Sequence, residues 1–136
     1  MAGDVACWVF KAAVLPPDEA QLSRCVRRSY RLELMAPGQR CLLWLSGRRE
    51  PGVHALGRLV GAPEPTADPT RLTIEVELRR LAEPVPRADL LADPDFAAAE
   101  VVRMPAGSNP SWLSPGELRA VLDRVDPAAL DAAGSS

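Results

Sequence analysis

Apolar and polar positions alternate along this chain in short runs, and most of the runs have a period of two. The cleanest spans residues 72–78. Leu72, Ile74, Val76 and Leu78 fall on one side, and Thr73, Glu75 and Glu77 on the other. That is the pattern of a half-buried strand. Residues 6–12 (ACWVFKA) are a short apolar run rich in aromatic and β-branched side chains and predict the first strand. Residues 41–46 predict another, with Leu43 and Leu45 on one face and Leu42, Trp44 and Ser46 on the other. A polar hairpin loop over 47–52 leads to a returning strand over 53–61. Gly57 lies inside it, and an interior glycine marks a bulge, a sharp bend or the close approach of another group.

A period near 3.6 takes over in fewer places. Asp18 predicts the cap of a helix running to about Arg28, with acids in its first turn, basic residues in its last, and Leu22, Cys25 and Val26 as its apolar stripe. Residues 30–35 read equally as strand or helix. Pro37-Gly38 is a turn, and three prolines make 62–69 a surface loop. Short helical turns are predicted over 87–91 and 95–100, a brief strand over 100–104 and an irregular loop over 105–112. Ser114-Pro-Gly-Glu117 is a capping box with proline at the first helical position. It opens a helix to about Val125 with Leu118, Val121, Leu122 and Val125 on its buried face. The expected architecture is therefore α+β and mainly β: a closed, mixed barrel of five or six strands with flanking helices. Residues 1–125 are expected to form one domain and 126–136, rich in Ala, Gly and Ser, a flexible tail.

Composition narrows the class. The 136 residues are 47% hydrophobic and 25% charged, the balance of a globular domain. No apolar run approaches a membrane span and no signal peptide is read at the start, so a cytoplasmic protein without a membrane partner is expected. The cysteines, Cys7, Cys25 and Cys41, are odd in number and include no CxxC pair, which favours free thiols. With His54 as the sole histidine they fit no zinc spacing, so no metal and no cofactor is expected. The net charge is −2, but residues 1–61 carry +4 and residues 62–136 carry −6. Such an asymmetry suits a polar partner docked on one face, and suits scattered solvated charge as well. Fifteen of the sixteen basic residues are arginine, whose planar fork suits phosphate.

Catalysis finds little support. The chain has no GxSxG, no GxxxxGK[ST] and no GxGxxG, and a nucleophile-base pair could form only around His54. Lys11, the single lysine, follows an apolar strand where burial would make it a base; it also reads as a snorkelling lysine at a strand end. Binding is better supported. Trp8, Tyr30, Trp44 and Trp112 are four of the six aromatic residues. Each is a reasonable core residue, but as a set at least two are expected to line a pocket that holds a flat base. Arg24, Arg27, Arg28 and Arg31 flank Tyr30, as a base with its phosphate requires, or as a solvated helix end would.

Three stretches resemble a known family: CWVFKA near the start, PGQRCLLWLSGRREPGVHALGRLV in the middle and LSPGELRAVLDRV near the end. Together they are similar to the EVE domain, a PUA-like barrel related to the YTH domain, over about residues 6–125. The resemblance implies a pocket for a modified base, such as a methylated cytosine or adenine, flipped from DNA or RNA. It places Lys11, Ala12 and Ala13 beside the pocket after the first strand, Ser29, Tyr30 and Arg31 on a second wall with Tyr30 as stacking face, and Trp44 and Ser46 on the central strand. Ser108, Asn109 and Pro110 would close the site, Asn109 reading a base edge. Trp8 and Gly57 complete the expected lining. The chain departs from the family pattern at Tyr30, where many relatives have tryptophan, and at Ala12 and Ala13, where they have polar residues. Two other readings remain: a hydrolase of the related ASCH type acting on a modified nucleoside through Lys11, and a protein-interaction domain with a vestigial pocket.

Overall fold

The computed structural model describes residues 6–12, 21–27, 34–46, 49–103 and 111–125, with 21–27 described by backbone and pairing. Seven strands among them form one mixed sheet. They are β1 (Cys7–Ala12), β2 (Gln21–Arg27), β3 (Arg40–Leu45), β4 (Gly52–Leu59), β5 (Glu64–Pro65), β6 (Arg71–Pro86) and β7 (Ser111–Leu113). Three short helices accompany them: α1 (Arg87–Leu91), α2 (Glu100–Arg103) and α3 (Pro115–Leu122). The strand order is β2-β6-β4-β3-β1-β7, with β5 paired to β6 beyond the end of β4. All neighbours are antiparallel except β1 and β3, which run parallel.

Both faces of the sheet are buried, each in its own way. One face carries Cys7, Val9, Leu42, Trp44, Leu56 and Leu113, and is covered by Leu90 of α1, Phe96, Val101 of α2, and Leu118 and Val121 of α3. The other face carries Trp8, Phe10, Cys41, Leu43, Ala55 and Leu59, and its cluster contains Leu72, Ile74, Val76 and Leu78 of β6 but no helical residue. Strands β1 and β6 are three steps apart, about 14 Å in a flat sheet. Their side chains meet in one cluster where Trp8, Ile74 and Val76 have no exposed surface. The sheet must therefore curl until β6 faces β1. The curl is barrel-like, but among the described residues the terminal strands β2 and β7 are not paired, so the hydrogen-bond ladder stays open where a closed barrel was expected.

Two register shifts produce the curl. On β4, Val53 and Ala55 pair with β3 on either side of a shift, and His54 is the extra residue. On β6, Val85 pairs with Val53 but Arg80 with Ala55, so residues 81–84 are looped out of the ladder. Bulges of this kind bend a strand and move its side chains from one face to the other. Val53 thus belongs to the helix-covered face and Ala55, two residues on, to the curled interior.

The alternation over 72–78 is found as predicted, but the strand is longer, running to Pro86. Residues 111 and 112, expected at the end of a loop, belong to β7 because they pair with β1, and two further assignments fail. Residues 21–27 form β2, not a helix, because they make seven consecutive antiparallel pairs with β6 from Gln21↔Glu77 to Arg27↔Arg71. Leu22 and Val26 are four apart, which is one helical turn and also two pleats, and only the partner strand decides between them. Residues 100–103 form α2, not a strand. The amides of Ala97, Ala99, Val102 and Arg103 donate to carbonyls three or four residues back, so helical turns begun at Asp93 carry Val101 into the core. The capping box of α3 is complete: Glu117 N–H donates to Ser114 Oγ at 3.3 Å, and Ser114 N–H to Glu117 Oε1 at 2.9 Å. No helix among the described residues is long and apolar enough to cross a membrane.

Candidate nucleic-acid site at the rim of the sheet

The parallel pair fixes where a site can form. β1 and β3 are in register from Trp8↔Cys41 to Ala12↔Leu45, so both leave the sheet at the same edge. Leu45 stands opposite Gly52 of β4, and Gly52 opposite Pro86 of β6. Ala12, Leu45, Gly52 and Pro86 thus form one row across four strands, about 14 Å wide. The row is tightly held. Ser46 N–H and Ser46 Oγ–H both donate to the Ala12 carbonyl, at 2.9 and 3.2 Å. Arg87 N–H donates to the Pro51 carbonyl at 2.8 Å. Gly52 has φ 143°, and a Cβ there would lie 2.1 Å from the Val85 carbonyl oxygen, so no other residue fits that corner.

Side chains at this rim are polar and reachable. Lys11 is the register partner of Trp44, is partly exposed and has an interaction partner. Ser46 is exposed and, with its proton given to Ala12, keeps its lone pairs for a donor. Behind the rim, the buried His54 donates through Nε2–H to the Glu50 carbonyl at 2.6 Å, pinning a loop in which Glu50 itself has φ 44°. His54 is therefore a fastener for the β3–β4 loop. Near the entry of β7, the fully buried Ser111 donates its hydroxyl to Glu100 Oε1 at 2.7 Å and ties α2 to the sheet.

The two described thiols, Cys7 and Cys41, are unsuited to thiolate chemistry near neutral pH. Burial pushes Cys41 up to about 12 and Cys7 well above the usual thiol range, so neither offers a thiolate near neutral pH. No group of three His, Cys, Asp or Glu residues among the described residues is arranged to hold a metal ion.

The sequence matches no family model and no curated protein. The fold, in contrast, is shared. A Pseudomonas putida protein superposes with a TM-score of 0.70 at 15% identity, over 87% of this chain and 98% of the other. The DUF55 domain of human thymocyte nuclear protein 1 superposes with a TM-score of 0.61 at 18% identity, over 85% of this chain and 96% of the domain. The chain has the EVE-type, PUA-like fold. A third structure of this fold is human THYN1 in complex with 5-methylcytosine-containing DNA, with a TM-score of 0.58 at 16% identity, over 89% of this chain and 99% of the other.

Within this EVE fold the residues expected in the pocket separate into three groups. Lys11, Ala12 and Ser46 lie together at the rim. Trp8, Trp44 and Gly57 have packing roles. Trp8 is fully buried and its Nε1–H donates to Gln39 Oε1 at 2.8 Å. Trp44, 3% exposed, lies in the other cluster, stacked on Phe96 with ring centroids 6.0 Å apart and planes 16° from parallel. The two indoles thus sit on opposite faces of the sheet and do not share a slot. Gly57 has no Cβ because the Glu77 carbonyl oxygen of β6 occupies that place, 1.7 Å from an ideal Cβ. Of the three readings of this glycine, a bulge, a sharp bend or a close approach, the structure shows the last, and the approaching group is a neighbouring strand. Ala13, Ser29, Tyr30, Arg31, Ser108, Asn109 and Pro110 lie outside the described residues.

Sequence reasoning gave no role to Gln39. Its Oε1 accepts from both Trp8 and the Ala36 amide, and its Nε2 donates to the Leu34 carbonyl at 3.0 Å. One amide thereby locks a loop onto the wall of the curled interior. The turn at Pro37-Gly38 was visible in the sequence, but the indole that Gln39 serves is 31 residues away.

Proposed function

We propose that this chain is a binding module for DNA or RNA carrying a modified base, and that it holds the base at the rim without turning it over. The reading is carried by the fold shared with human THYN1, whose structure is a complex with 5-methylcytosine-containing DNA. The rim supports it by bringing Lys11, Ala12 and Ser46 together at one edge. In this reading the ammonium of Lys11 faces the phosphate of the held nucleotide, and Ser46 Oγ accepts from an exocyclic amine of the base. Tyr30 provides the stacking face, Asn109 reads the base edge, and Ser29, Arg31, Ser108 and Pro110 complete the walls. Ala12 and Ala13 leave room for a methyl group.

The acidic second half limits the footprint. Phosphate contacts supply much of the affinity of nucleic-acid binders, and a net of −6 over residues 62–136 repels a long polyanion. A short single strand is the fitting ligand. Fluorescence anisotropy with short oligonucleotides that differ in one base tests the proposal. A strand with one 5-methylcytosine or one N6-methyladenine should bind at least about tenfold more tightly than its unmodified twin, a difference of about 1.4 kcal/mol. Equal affinity for modified and unmodified strands, or none for either, ends the base-reading proposal.

A further inference from the structure

Three arginines meet on one face of the sheet, at the end away from the rim. Arg40 begins β3 and stands directly opposite Arg58 of β4, and Arg58 stands opposite Glu77 of β6. Arg79 follows two residues after Glu77, opposite Leu56. The period of two along β4 and β6 therefore puts Arg40, Arg58, Glu77 and Arg79 on one side. The ion pair of Arg58 with Glu77, at 3.7 Å, agrees with that placement. Leu42 and Leu56 on this side lie under the helices, and the arginines continue the same face into solvent.

The arrangement works against the free protein. Directly opposed side chains on paired strands lie about 5 Å apart at Cβ and diagonal ones about 7–8 Å, and like charges so placed repel. One carboxylate offsets this only in part. Glu77 meets Arg58 at a long distance with both side chains 39% exposed, and exposed pairs of that kind contribute little. Among the described residues no carboxylate is bridged to Arg40 or Arg79. Glu75, next along β6 on the same side, has an interaction partner of its own. Three guanidinium groups thus share one weakly held carboxylate, on a chain whose net charge is −2. An anion seated among them removes the repulsion.

We infer that Arg40, Arg58 and Arg79 form a phosphate-binding surface for the backbone of a single strand, separate from the rim. The inference rests on the nucleic-acid reading above and adds to it a second contact that ignores base identity. Arg40 and Leu45 are the two ends of β3, about 17 Å apart, so the nucleotide at the rim is not the one touched here. Neighbouring nucleotides of the same strand are. A guanidinium fork takes two phosphate oxygens at once, and three forks at strand spacing offer places for successive phosphates. Arg40 and Arg58 belong to the basic first half of the chain, so the charge asymmetry of the sequence gains a place in the fold.

The test is fluorescence anisotropy at increasing salt with an oligothymidylate long enough to span the sheet, and with the same strand carrying one modified base. Each phosphate contact on a single strand adds about 0.7 to the slope of log affinity against log salt. The double variant Arg40→Gln with Arg79→Gln should lower that slope by about 1.4 and weaken low-salt binding several-fold for both strands alike. Arg40→Lys with Arg79→Lys keeps the charges and should keep most of the slope. Both positions are exposed, and circular dichroism checks that the sheet is retained. If the glutamine variant loses slope while wild type binds both strands equally, the surface stands and the base-reading proposal falls. A folded glutamine variant with unaltered slope and affinity overturns the surface and leaves the rim reading in place. A lysine variant that loses as much slope as the glutamine variant also overturns it, because charge is then not what binds. Failure of wild type to bind either strand overturns the surface together with the reading on which it rests.

Discussion

At the residue scale, the structure separates side chains that look alike in the sequence. Three tryptophans read as candidates for one pocket, and burial gives them different places: Trp8 a hydrogen-bonded wall, Trp44 a core stack, Trp112 a partly buried ring packed on the curled interior. A tryptophan carries a large apolar surface and one donor, so the residue type alone specifies neither face nor partner. Gly57 is the opposite case, because its role was half legible. An interior glycine announced a bulge, a sharp bend or a close approach, and the structure shows the last, with the backbone of β6 at Glu77 as the approaching group. A methyl group at Gly57 would have to push two paired strands apart, since backbone cannot swing aside as a side chain can. Gly57→Ala should therefore destabilise the protein by about 3 kcal/mol or more. Urea unfolding measures this, and a loss below about 1 kcal/mol would mean that β4 and β6 separate there at little cost.

At the scale of elements, those whose signal is local were legible and those that depend on a partner were not. β3, the first half of β6 and the turn at Pro37-Gly38 follow from alternation and turn chemistry. Helix α3 follows from its capping box and apolar stripe, and the box is complete in the structure. β2 was read as a helix because Leu22 and Val26 satisfy both periods and the deciding pairs lie about 50 residues downstream. α2 was read as a strand because Val101 and Val102 favour one, while the turns that override them start at Asp93. The cap of α3 allows a measurement at this scale. Ser114→Ala removes the acceptor for Glu117 N–H and should cost about 1 kcal/mol. Ser114→Asp, which restores an acceptor, should recover most of it. If thermal unfolding shows no loss in the alanine variant, the box contributes nothing and packing of Leu118, Ala120 and Val121 alone holds the helix.

At the scale of the whole molecule, the rim could not be read from local pattern, because it exists only when β1 pairs in parallel with β3 and β3 with β4; only the family resemblance grouped Lys11, Ala12 and Ser46. Lys11 and Ser46 were each visible as polar residues at strand ends, but nothing local says that Ser46 hydrogen-bonds Ala12, 34 residues earlier. The curl seals one face and the helices seal the other, and the two buried thiols report on those two seals. Cys7 belongs to the helix-covered cluster and Cys41 to the curled interior, and burial is the main reason that both hold their protons far above the ordinary value of 9.0. In the unfolded chain each thiol ionises near that ordinary value. Between about pH 9 and the folded value of about 12 for Cys41, the folded state therefore keeps a proton that the unfolded state has released. The unfolded state binds fewer protons, so stability falls as pH rises through this window, by about 1.4 kcal/mol per pH unit for each sealed thiol. Below pH 9 the thiols contribute no slope. Cys41→Ala should flatten the alkaline fall in urea-unfolding free energy by that amount per unit, and Cys7→Ala should do the same from the other face. If either variant keeps the wild-type slope, water reaches that thiol in the folded protein. For Cys41 that means a curl of β6 onto β1 looser than the burial of Trp8 and Ile74 requires, and for Cys7 a gap between the helices and the face they cover.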